Sequence, residues 1–454
     1  MLTAVVLLLL PAAAAAQTSS VNAFSPYTMY GIGEINTPGT VTTRSMGGVG
    51  VAVRRMGDMN LLNPASYSMA PQKSFFFDFG VEGQNFYNAQ MFDGERKRTA
   101  YNSFNFRDIA LQIPILKKLG LGFSLTPYSS VGYRMRYDHA FDPDDPVWGN
   151  VGRVQYNYQG EGDVTEVKVG LGWEVFKNFS VGVALQYYWG NIDRDYTAMT
   201  SSLSGSSDAS YTSLVGNDNY SVSKFKGQVG VQWKAISNQK RALMFGATYD
   251  FGGDLAPYVT STITIDDVTS STVRDEAQNL KLVLPHKVSF GVFYQTAKWA
   301  LGADYVYEDW GGRNAGSVFT GLTQTDAGVH AYEVSYTNTN TIKLGVEYTP
   351  SRYDVRHFLN RCSYRFGFRT GGFNQTFDGH QLNEWAVTAG VGIPVQFLAV
   401  SGFNIGFEYG RRGYNIAQNV GLVRQQYFKF ALGFTLFGAG GENRDYWFVR
   451  PKYD

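Results

Sequence analysis

The feature that most constrains the fold is an alternation of apolar and polar residues that begins near Ser74 and continues almost to the C-terminus. In the stretch 167–175 every second residue is apolar, and the residues between them are mostly small or charged. A period of two places successive side chains on opposite faces of a β-strand. The same pattern occurs in 181–189, 299–308, 342–348 and 428–436. The sequence therefore predicts an all-β protein.

A soluble β-sandwich would alternate in the same way, so other properties must separate it from a membrane barrel. The polar faces of the strands are rich in Gly, Ala and Ser, which suit a crowded interior. Trp or Tyr ends several apolar faces, as in the aromatic girdle of a barrel. After residue 16 no run of about 18 apolar residues occurs, so no helical span is expected. We expect a transmembrane antiparallel β-barrel, with a soluble all-β protein as the alternative.

The alternating segments number about fourteen, an even number, as single-chain bacterial barrels have. They lie at 73–87, 102–114, 119–138, 152–176, 179–197, 219–236, 241–260, 278–295, 298–311, 331–349, 362–376, 382–396, 402–414 and 425–438. Short links at 114–118, 177–178, 237–240 and 296–297 alternate with long polar links at 139–151, 198–218, 261–277 and 312–330. Short periplasmic turns and long outer loops are typical of outer-membrane barrels.

The chain divides into four predicted regions. Residues 1–16 carry an apolar run followed by alanines, which is typical of a cleaved export signal, although the usual basic start is missing. Residues 17–72 form a polar lead-in and a glycine-rich stretch, 73–438 the barrel, and 439–454 a C-terminal tail. We therefore expect an exported protein in the outer membrane.

The stretch 44–67 is too rich in glycine for a helix and too irregular for a barrel strand. Its glycines permit backbone conformations that other residues avoid, and its proline holds the preceding residue in extended geometry. We interpret this stretch as a plug, or hatch, inside the lumen of the barrel. The residues of the plug motif are Gly47, Gly48, Gly50, Asn63, Pro64 and Ala65.

Charged residues are the candidates for holding this plug. Arg54, Arg55 and Asp58 lie between the two halves of the motif. Since unpaired charge in a tight interior is costly, we expect these residues to make charge-assisted hydrogen bonds to inward carboxylates. The alternative is a wide, water-filled lumen in which each charge only faces water. The inward cations offer a site for a carboxylate head group, or only balance the acidic residues. The candidate lumen charges are Lys168, Asp304, Glu308, Lys343, Glu347, Arg365, Arg369, Glu408 and Lys429.

Other functional classes lack support in the sequence. A formal net charge of +1 implies no basic face for nucleic acid. The five histidines lack the spacing of metal ligands, and no cofactor motif occurs, so we expect no metal and no cofactor. GxSxG, Walker and HExxH motifs are absent, and we expect no enzymatic activity.

The stretch MGGVGVAV, the triplet NPA, and strands such as LPHKVSFGVFYQ, WALGADYVYEDW and TIKLGVEYTP resemble the FadL/TodX (OMPP1) family of outer-membrane transport proteins over most of the mature chain. The resemblance implies a barrel of about fourteen strands with an N-terminal hatch in its lumen. It also implies passive uptake of small hydrophobic molecules, such as long-chain fatty acids, which leave through a gap made by a kink in the third strand.

The third predicted strand of this chain contains Pro127, which lacks the N–H that a central strand needs. Pro127, together with Gly132, is the candidate for the kink and lateral gate. The alternative is a bulge near the membrane rim that only shapes an outer loop.

Two departures from the family pattern leave the function open. The plug is more charged than a lipophilic conduit needs, and the chain continues past the last strand with GAGGENRDYWFVRPKYD. Relatives of this family also serve as barrel subunits of protein-secretion or barrel-assembly machines. The leading hypothesis is a passive channel for small hydrophobic molecules, and the alternative is a non-transporting barrel subunit of an envelope machine. The expected partners are outer-membrane lipid and either a hydrophobic small molecule or envelope proteins, which would bind the outer loops and the C-terminal tail.

Overall fold

The computed structural model describes residues 25–55, 58–70, 75–92, 95–140, 153–201, 214–238, 240–256, 258–265, 268–275, 282–313, 318–325, 328–352, 354, 356–395, 400–413 and 423–438. The expected export signal, the C-terminal tail and most of the loops at 139–151 and 198–218 lie outside the described residues.

Antiparallel β-strands make up most of the described chain. The strands are β1 Glu34–Ile35, β2 Phe75–Phe92, β3 Glu95–Leu116, β4 Leu119–Ala140, β5 Arg153–Phe176, β6 Phe179–Ser201, β7 Leu214–Ser237, β8 Arg241–Asp250, β9 Gly253–Ala256, β10 Tyr258–Ile265, β11 Val268–Asp275, β12 Leu282–Leu284, β13 Lys287–Thr296, β14 Trp299–Glu308, β15 Val318–Thr325, β16 Gly328–Tyr336, β17 Thr339–Tyr348, β18 Ser363–Phe377, β19 His380–Val395, β20 Val400–Arg412 and β21 Arg424–Gly438. The helices are short: α-helical Val41–Arg44 and Trp310–Arg313, and 3-10 Pro26–Met29, Pro64–Met69 and Phe358–Arg361. None of the described helices has the length and apolarity to cross a membrane.

Fourteen strands close into one antiparallel barrel. Their order is β2 to β8, then β13, β14, β17, β18, β19, β20 and β21, and β21 pairs again with β2, where Phe79 lies opposite Phe434. Consecutive barrel strands run in opposite directions. The short links 117–118, 177–178 and 297–298 lie at one end, whereas the other end carries most of the long links but also the two-residue links β2–β3 and β18–β19. The predicted fold class is confirmed. The predicted asymmetry of the links holds only in part, because the outer end has these two short turns and the link 349–362 at the other end is long.

Several predicted boundaries are wrong at the outer end. The expected strand 241–260 ends at Asp250, and 331–349 is divided into β16 and β17. The expected polar loops at 261–277 and 312–330 contain the hairpins β10–β11 and β15–β16. Val, Thr and Ile occur close together in Tyr258–Ile265, and these β-branched residues favour extended chain even where the segment is polar. Strand β10 then pairs with the outer part of β7 and extends the barrel wall.

The barrel is apolar outside and polar inside. In β5 the side chains of Val169, Leu171 and Trp173 are 41%, 41% and 52% exposed, whereas Glu166 and Lys168 are buried. A soluble protein buries its apolar faces, so this inversion is typical of strands whose outer face meets lipid. The soluble all-β alternative is therefore wrong.

Residues 25–55 and 58–70, which we call the lumen segment, lie inside the barrel. Met46, Val49 and Ala52 pack there against Met244 and Phe293 of the wall. Glycines on the inward faces provide the space. A Cβ added at Gly182 would lie 2.3 Å from the Ala65 nitrogen, and one at Gly367 would lie 2.0 Å from the Gly47 nitrogen. The small residues noted on the polar faces are thus the places where the wall approaches the segment.

Candidate functional site

The glycine half of the plug motif makes backbone contacts with the wall. Gly47 and Gly48 have φ values of +71° and +82°, a region that favours glycine. The Gly47 N–H donates to Thr388 Oγ1 at 2.9 Å. The N–H groups of Gly50 and Val51 donate to one carboxylate oxygen of Asp304 at 2.7 and 3.0 Å. Asp304 therefore accepts hydrogen bonds from two backbone N–H groups of the segment, whereas the sequence suggested that it would pair with a charged residue of the plug.

The second half of the motif ties the segment to itself and to β7. The Asn63 amide donates to the carbonyl oxygens of Val51 at 2.9 Å and Val231 at 3.1 Å. Its side-chain oxygen accepts from the Ala65 N–H at 3.0 Å, and Pro64 begins the 3-10 helix Pro64–Met69. A proline suits the first position of a helix, since its nitrogen has no proton to leave unsatisfied. The triplet thus caps a helical turn and joins it to the wall.

The arginines of the segment pair with wall carboxylates. Arg54 lies 2.8 Å from Glu174, and Arg55 donates twice to Glu347 at 2.7 and 3.0 Å. Asp58 pairs with Arg55 inside the segment instead of with the wall. Glu347 belongs to the expected set of carboxylates, whereas Glu174 was noted only as a polar residue of its strand.

Arg44 was missed as an anchor by sequence reasoning. Its guanidinium binds Glu82 of β2 and lies 3.7 Å from Glu408, and the side chains of Arg44, Glu82 and Glu408 are all buried. The available signal was that Glu82 alternates with the apolar residues Phe79 and Val81 of its strand, with Gly80 between those two, and so faces the lumen. Three arginines of the segment therefore reach three different parts of the wall.

The wall cations are mostly bound to wall acceptors. Arg365 donates to Glu347 at 2.7 Å and to Asn404 at 2.9 Å. Arg369 donates to Glu408 at 2.7 Å and to the Tyr427 hydroxyl at 3.0 Å. Arg365 and Arg369 therefore have acceptors within the wall, which favours the interpretation that these charges balance one another.

The other candidate lumen charges have separate surroundings. Lys168 donates to the Leu61 carbonyl at 3.0 Å and so binds the segment. Glu308 accepts from Trp310 Nε1 at 3.0 Å and from Thr339 at 3.1 Å. Lys429 lies 3.8 Å from Glu34, and Lys343 lines a cavity between segment and wall.

The start of the segment fills the outer part of the lumen, although the sequence suggested only a polar lead-in. Tyr27 packs edge-on against Phe377 with ring centroids 5.3 Å apart, and its hydroxyl donates to the Val423 carbonyl. On the opposite side the Ser25 N–H donates to the Gly132 carbonyl at 2.9 Å. The lumen segment therefore crosses the barrel from β4 to β18. Its apolar residues Tyr27, Tyr30 and Ile32 were the available signal.

A seam opens in the wall between β3 and β4. Their ladder runs from Leu116 opposite Leu119 to Ile109 opposite Leu125, and no β3–β4 pair lies beyond it among the described residues. Strand β4 continues to pair with β5, with a bulge between Pro127 and Ser129. Pro127 has no N–H to donate, and the ladder stops two residues before it. The structure thus has a bulge at the residue that was proposed for the kink.

The inner edge of this seam is covered by the lumen segment. Glu34 and Ile35 pair with Ser130 and Ser129 of β4. The Gly132 N–H donates to Thr28 Oγ1 at 3.1 Å. Gly132 is therefore a docking point for the start of the segment.

A cavity of about 100 Å³ lies inside the barrel behind Pro127. Its lining is mixed, with a few apolar residues of the segment and many polar residues of the wall. The ionisable and amide side chains in the lining are Asn36, Arg107, Glu166, Lys168, Gln186, Gln228, Lys287, Glu308 and Lys343. No cluster of metal-ligating residues occurs in the part of the chain that the structure describes.

The family model BamG matches residues 1–454, the whole chain. The chain belongs to the BamG family. No curated protein matches it by sequence.

Solved structures similar to this member of the BamG family are FadL-like barrels. A Pseudomonas aeruginosa FadL homologue has a TM-score of 0.59 at 13% identity and covers 89% of this chain and 99% of its own. The Pseudomonas putida toluene transporter TodX has a TM-score of 0.54 at 15% identity, covering 92% and 99%. The Ralstonia pickettii toluene transporter TbuX has a TM-score of 0.53 at 12% identity, covering 89% and 99%. The resemblance to the FadL/TodX family is confirmed for the fold, and the protein is an outer-membrane β-barrel.

Proposed function

We propose that this protein is a closed, non-transporting barrel that serves as a subunit of an outer-membrane protein-assembly or secretion machine. The observation that carries the proposal is the set of charged and amide side chains that line the space behind the seam, Glu166, Lys168 and Lys343 among them. A hydrophobic molecule that enters there would displace water from carboxylates, ammonium groups and amides without replacing their hydrogen bonds. Each buried polar group left unsatisfied costs about 1–3 kcal/mol, and charged groups cost more. The site is therefore a poor path for lipophiles.

The size of the cavity supports the same conclusion. Its volume is about 100 Å³, whereas an apolar protein cavity that binds benzene measures about 150 Å³. A long-chain fatty acid is larger than benzene and would need the lumen segment to move. The contacts of Arg44, Arg54 and Arg55 with the wall oppose such a movement.

The plug role of residues 17–72 is part of this proposal. The described part of this region is held at its start by Ser25 and Thr28, in its middle by the arginines, and near its end by Asn63. We infer that the plug closes the lumen permanently and keeps the barrel as a scaffold. The match to the BamG family over the whole chain supports the subunit role, because the resemblance included barrels of assembly machines.

Purification of the tagged protein from outer membranes in mild detergent tests the subunit role. We expect an envelope protein to co-purify in a fixed molar ratio, and we expect the isolated barrel to produce no single-channel current in a planar bilayer. A barrel that purifies alone, with a hydrophobic small molecule bound, would contradict the proposal.

Passive uptake of hydrophobic molecules is the second candidate function, and the seam at Pro127 favours it. TodX and TbuX, which share the fold, are described as toluene transporters. In this alternative a hydrocarbon or fatty acid would enter from outside, pass the lumen segment and leave sideways between β3 and β4.

The Pro127→Val variant tests this route, with Pro394→Val in β19 as the matched control, since Pro394 lies in a strand away from the seam. Valine restores an N–H and favours a regular strand. Reduced uptake of toluene or oleate by Pro127→Val alone, with the barrel still folded, would support transport. Equal uptake by both variants and the wild-type protein would exclude the seam as the route.

A further inference from the structure

The short turns at one end of the barrel are strongly basic. Their described residues are 117–118, 177–178, 238, 240, 297–298, 349–352, 354 and 356–362. Asp354 is the one acidic residue among them, and it accepts hydrogen bonds from Asn360 and from the N–H groups of Arg356 and His357. The exposed cations are Lys117, Lys118, Lys177, Lys240, Lys298, Arg352 and Arg356, together with Arg241 at the start of β8.

This end faces the periplasm, because short turns and both chain ends of the barrel lie on the periplasmic side of outer-membrane barrels. The cations occur on the connections β3–β4, β5–β6, β7–β8, β13–β14 and β17–β18, and the ten strands concerned are neighbours in the barrel. A docked protein contacts one side of a barrel, whereas a membrane leaflet surrounds it. The spread of the charge therefore favours lipid.

Lipid-facing tryptophans lie next to these cations. Trp173, Trp233 and Trp299 are about half exposed and stand at the periplasmic ends of β5, β7 and β14. Lys177 and Lys298 are within a few residues of two of them in sequence. Tryptophan prefers the membrane interface, and a long cationic side chain extends its charge beyond the apolar boundary. Such pairs place the charge at the depth of lipid phosphates.

The longest described turn adds an apolar tip to this rim. Phe358 and Leu359 are 47% and 68% exposed, and the Arg361 guanidinium lies 5.2 Å from the centre of the Phe358 ring. The hydroxyl of Tyr364, which shares the lipid-facing side of β18 with Phe366, donates to the Leu359 carbonyl at 3.1 Å. This bond draws the tip toward the outside of the barrel and away from the lumen.

We propose that this basic rim binds anionic phospholipid head groups of the periplasmic leaflet, and that Phe358 and Leu359 insert into the same leaflet. Each Lys or Arg near an anionic membrane surface strengthens binding by about fivefold, which corresponds to about 1 kcal/mol. The rim would fix the depth and tilt of the barrel in the membrane. The inference holds for a transporting and a non-transporting barrel alike.

Spin-labelled lipids test the head-group preference in vesicles of phosphatidylcholine that contain the purified protein. We expect spin-labelled phosphatidylglycerol to associate with the wild-type barrel more strongly than spin-labelled phosphatidylcholine. Replacing Lys117, Lys118, Lys177, Lys240 and Lys298 by Gln should lower the ratio of the two association constants well below the wild-type ratio, while Arg241, Arg352 and Arg356 remain. The matched control replaces Arg96, Arg98, Arg134, Arg136 and Arg153, exposed at the outer end, by Gln and should keep the wild-type ratio. Heat-modifiable mobility on gels verifies that each variant is folded.

A wild-type ratio of one, or equal losses in the two variants, would overturn the proposal and leave an acidic protein face as the alternative partner of the rim.

The depth of the apolar tip is tested separately with a nitroxide attached at Leu359→Cys, since the native Cys362 is buried. We expect the label to collide more often with oxygen, which concentrates in lipid, than with a water-soluble nickel chelate. A label at Asn178→Cys in a two-residue turn is the control and should show the opposite preference. A Leu359 label as accessible to the chelate as the Asn178 label would refute the insertion of the tip.

Discussion

Replacing Arg55 by methionine should release the lumen segment without unfolding the barrel. Arg55 donates to both carboxylate oxygens of Glu347 at 2.7 and 3.0 Å, and it also pairs with Asp58. The side chains of Arg55 and Glu347 are 8% and 3% exposed. Methionine retains apolar length but removes the charge and the donors. The wall strands keep their own ladders, so the effect should be local.

The free-energy cost of Arg55→Met depends on which partners Glu347 keeps. Removing one member of a buried ion pair costs about 3–5 kcal/mol. Glu347 still accepts from Arg365 at 2.7 Å, so we expect the lower end of that range, about 3 kcal/mol. Since about 1.4 kcal/mol corresponds to a factor of ten, the population of the released segment should rise by roughly a hundredfold.

Amide hydrogen exchange in the detergent-solubilised barrel measures this population. The N–H groups of Gly50 and Val51, bound to Asp304, should exchange roughly a hundredfold faster in Arg55→Met. The control is Arg352→Met, because Arg352 lies 3.9 Å from the same Glu347 but is 48% exposed. An exposed pair contributes at most about 1 kcal/mol, so the control should change exchange by less than about fivefold. Unchanged exchange in Arg55→Met, or equal changes in both variants, would refute the anchoring role.

Three further predictions concern the segment and the basic turn. Asn63→Ala leaves the carbonyl groups of Val51 and Val231 without this donor. It should lower the free energy of unfolding by about 2 kcal/mol, measured by urea titration, while the exposed control Asn238→Ala should have almost no effect. Gly182→Ala would place a Cβ 2.3 Å from the Pro64 carbonyl carbon and should destabilise the folded barrel by at least about 1–3 kcal/mol, measured by thermal unfolding. The control Gly402→Ala should be tolerated, because the nearest atom to its Cβ would be 4.0 Å away. Hydrogen bonds from Asn360 and from the His357 N–H hold the pKa of Asp354 below its ordinary range. Because the pKa of Asp354 is lower in the folded turn than in the unfolded chain, the ionised carboxylate stabilises the turn at any pH above the ordinary carboxyl pKa. This stabilisation is lost as the pH falls through the pKa of Asp354 in the folded turn. Protection of the His357 amide should therefore persist at about pH 5 and disappear in stronger acid; protection that is lost already at neutral pH would contradict this assignment.

Local patterns were sufficient for most of the barrel. The alternation in β5 and β6 predicted both strands to within a few residues, because the period of two depends only on the strand itself. The outer hairpins β10–β11 and β15–β16 were missed because polar residues interrupt the apolar alternation in their segments. Such strands are held by their neighbours, and β10 pairs with β7 about forty residues earlier.

The contacts of the candidate site were harder to predict. The Arg54–Glu174 pair joins residues 120 positions apart, and the Arg55–Glu347 pair joins residues 292 positions apart. The sequence indicates that these side chains face the lumen but not at which height or angle each one lies. That depends on the stagger of every strand between them around the closed barrel.

The sequence by itself determined the all-β class, the inside-out polarity, and a glycine-rich segment too irregular for the wall. Each of these is a property of residues close together in the chain. Only the tertiary structure decided that the outer lumen is crossed by residues near Tyr27, that the β3–β4 ladder ends before Pro127, and that charged and amide side chains line the space behind it. These features arise where distant strands are brought together by closure of the barrel, so no local pattern encodes them.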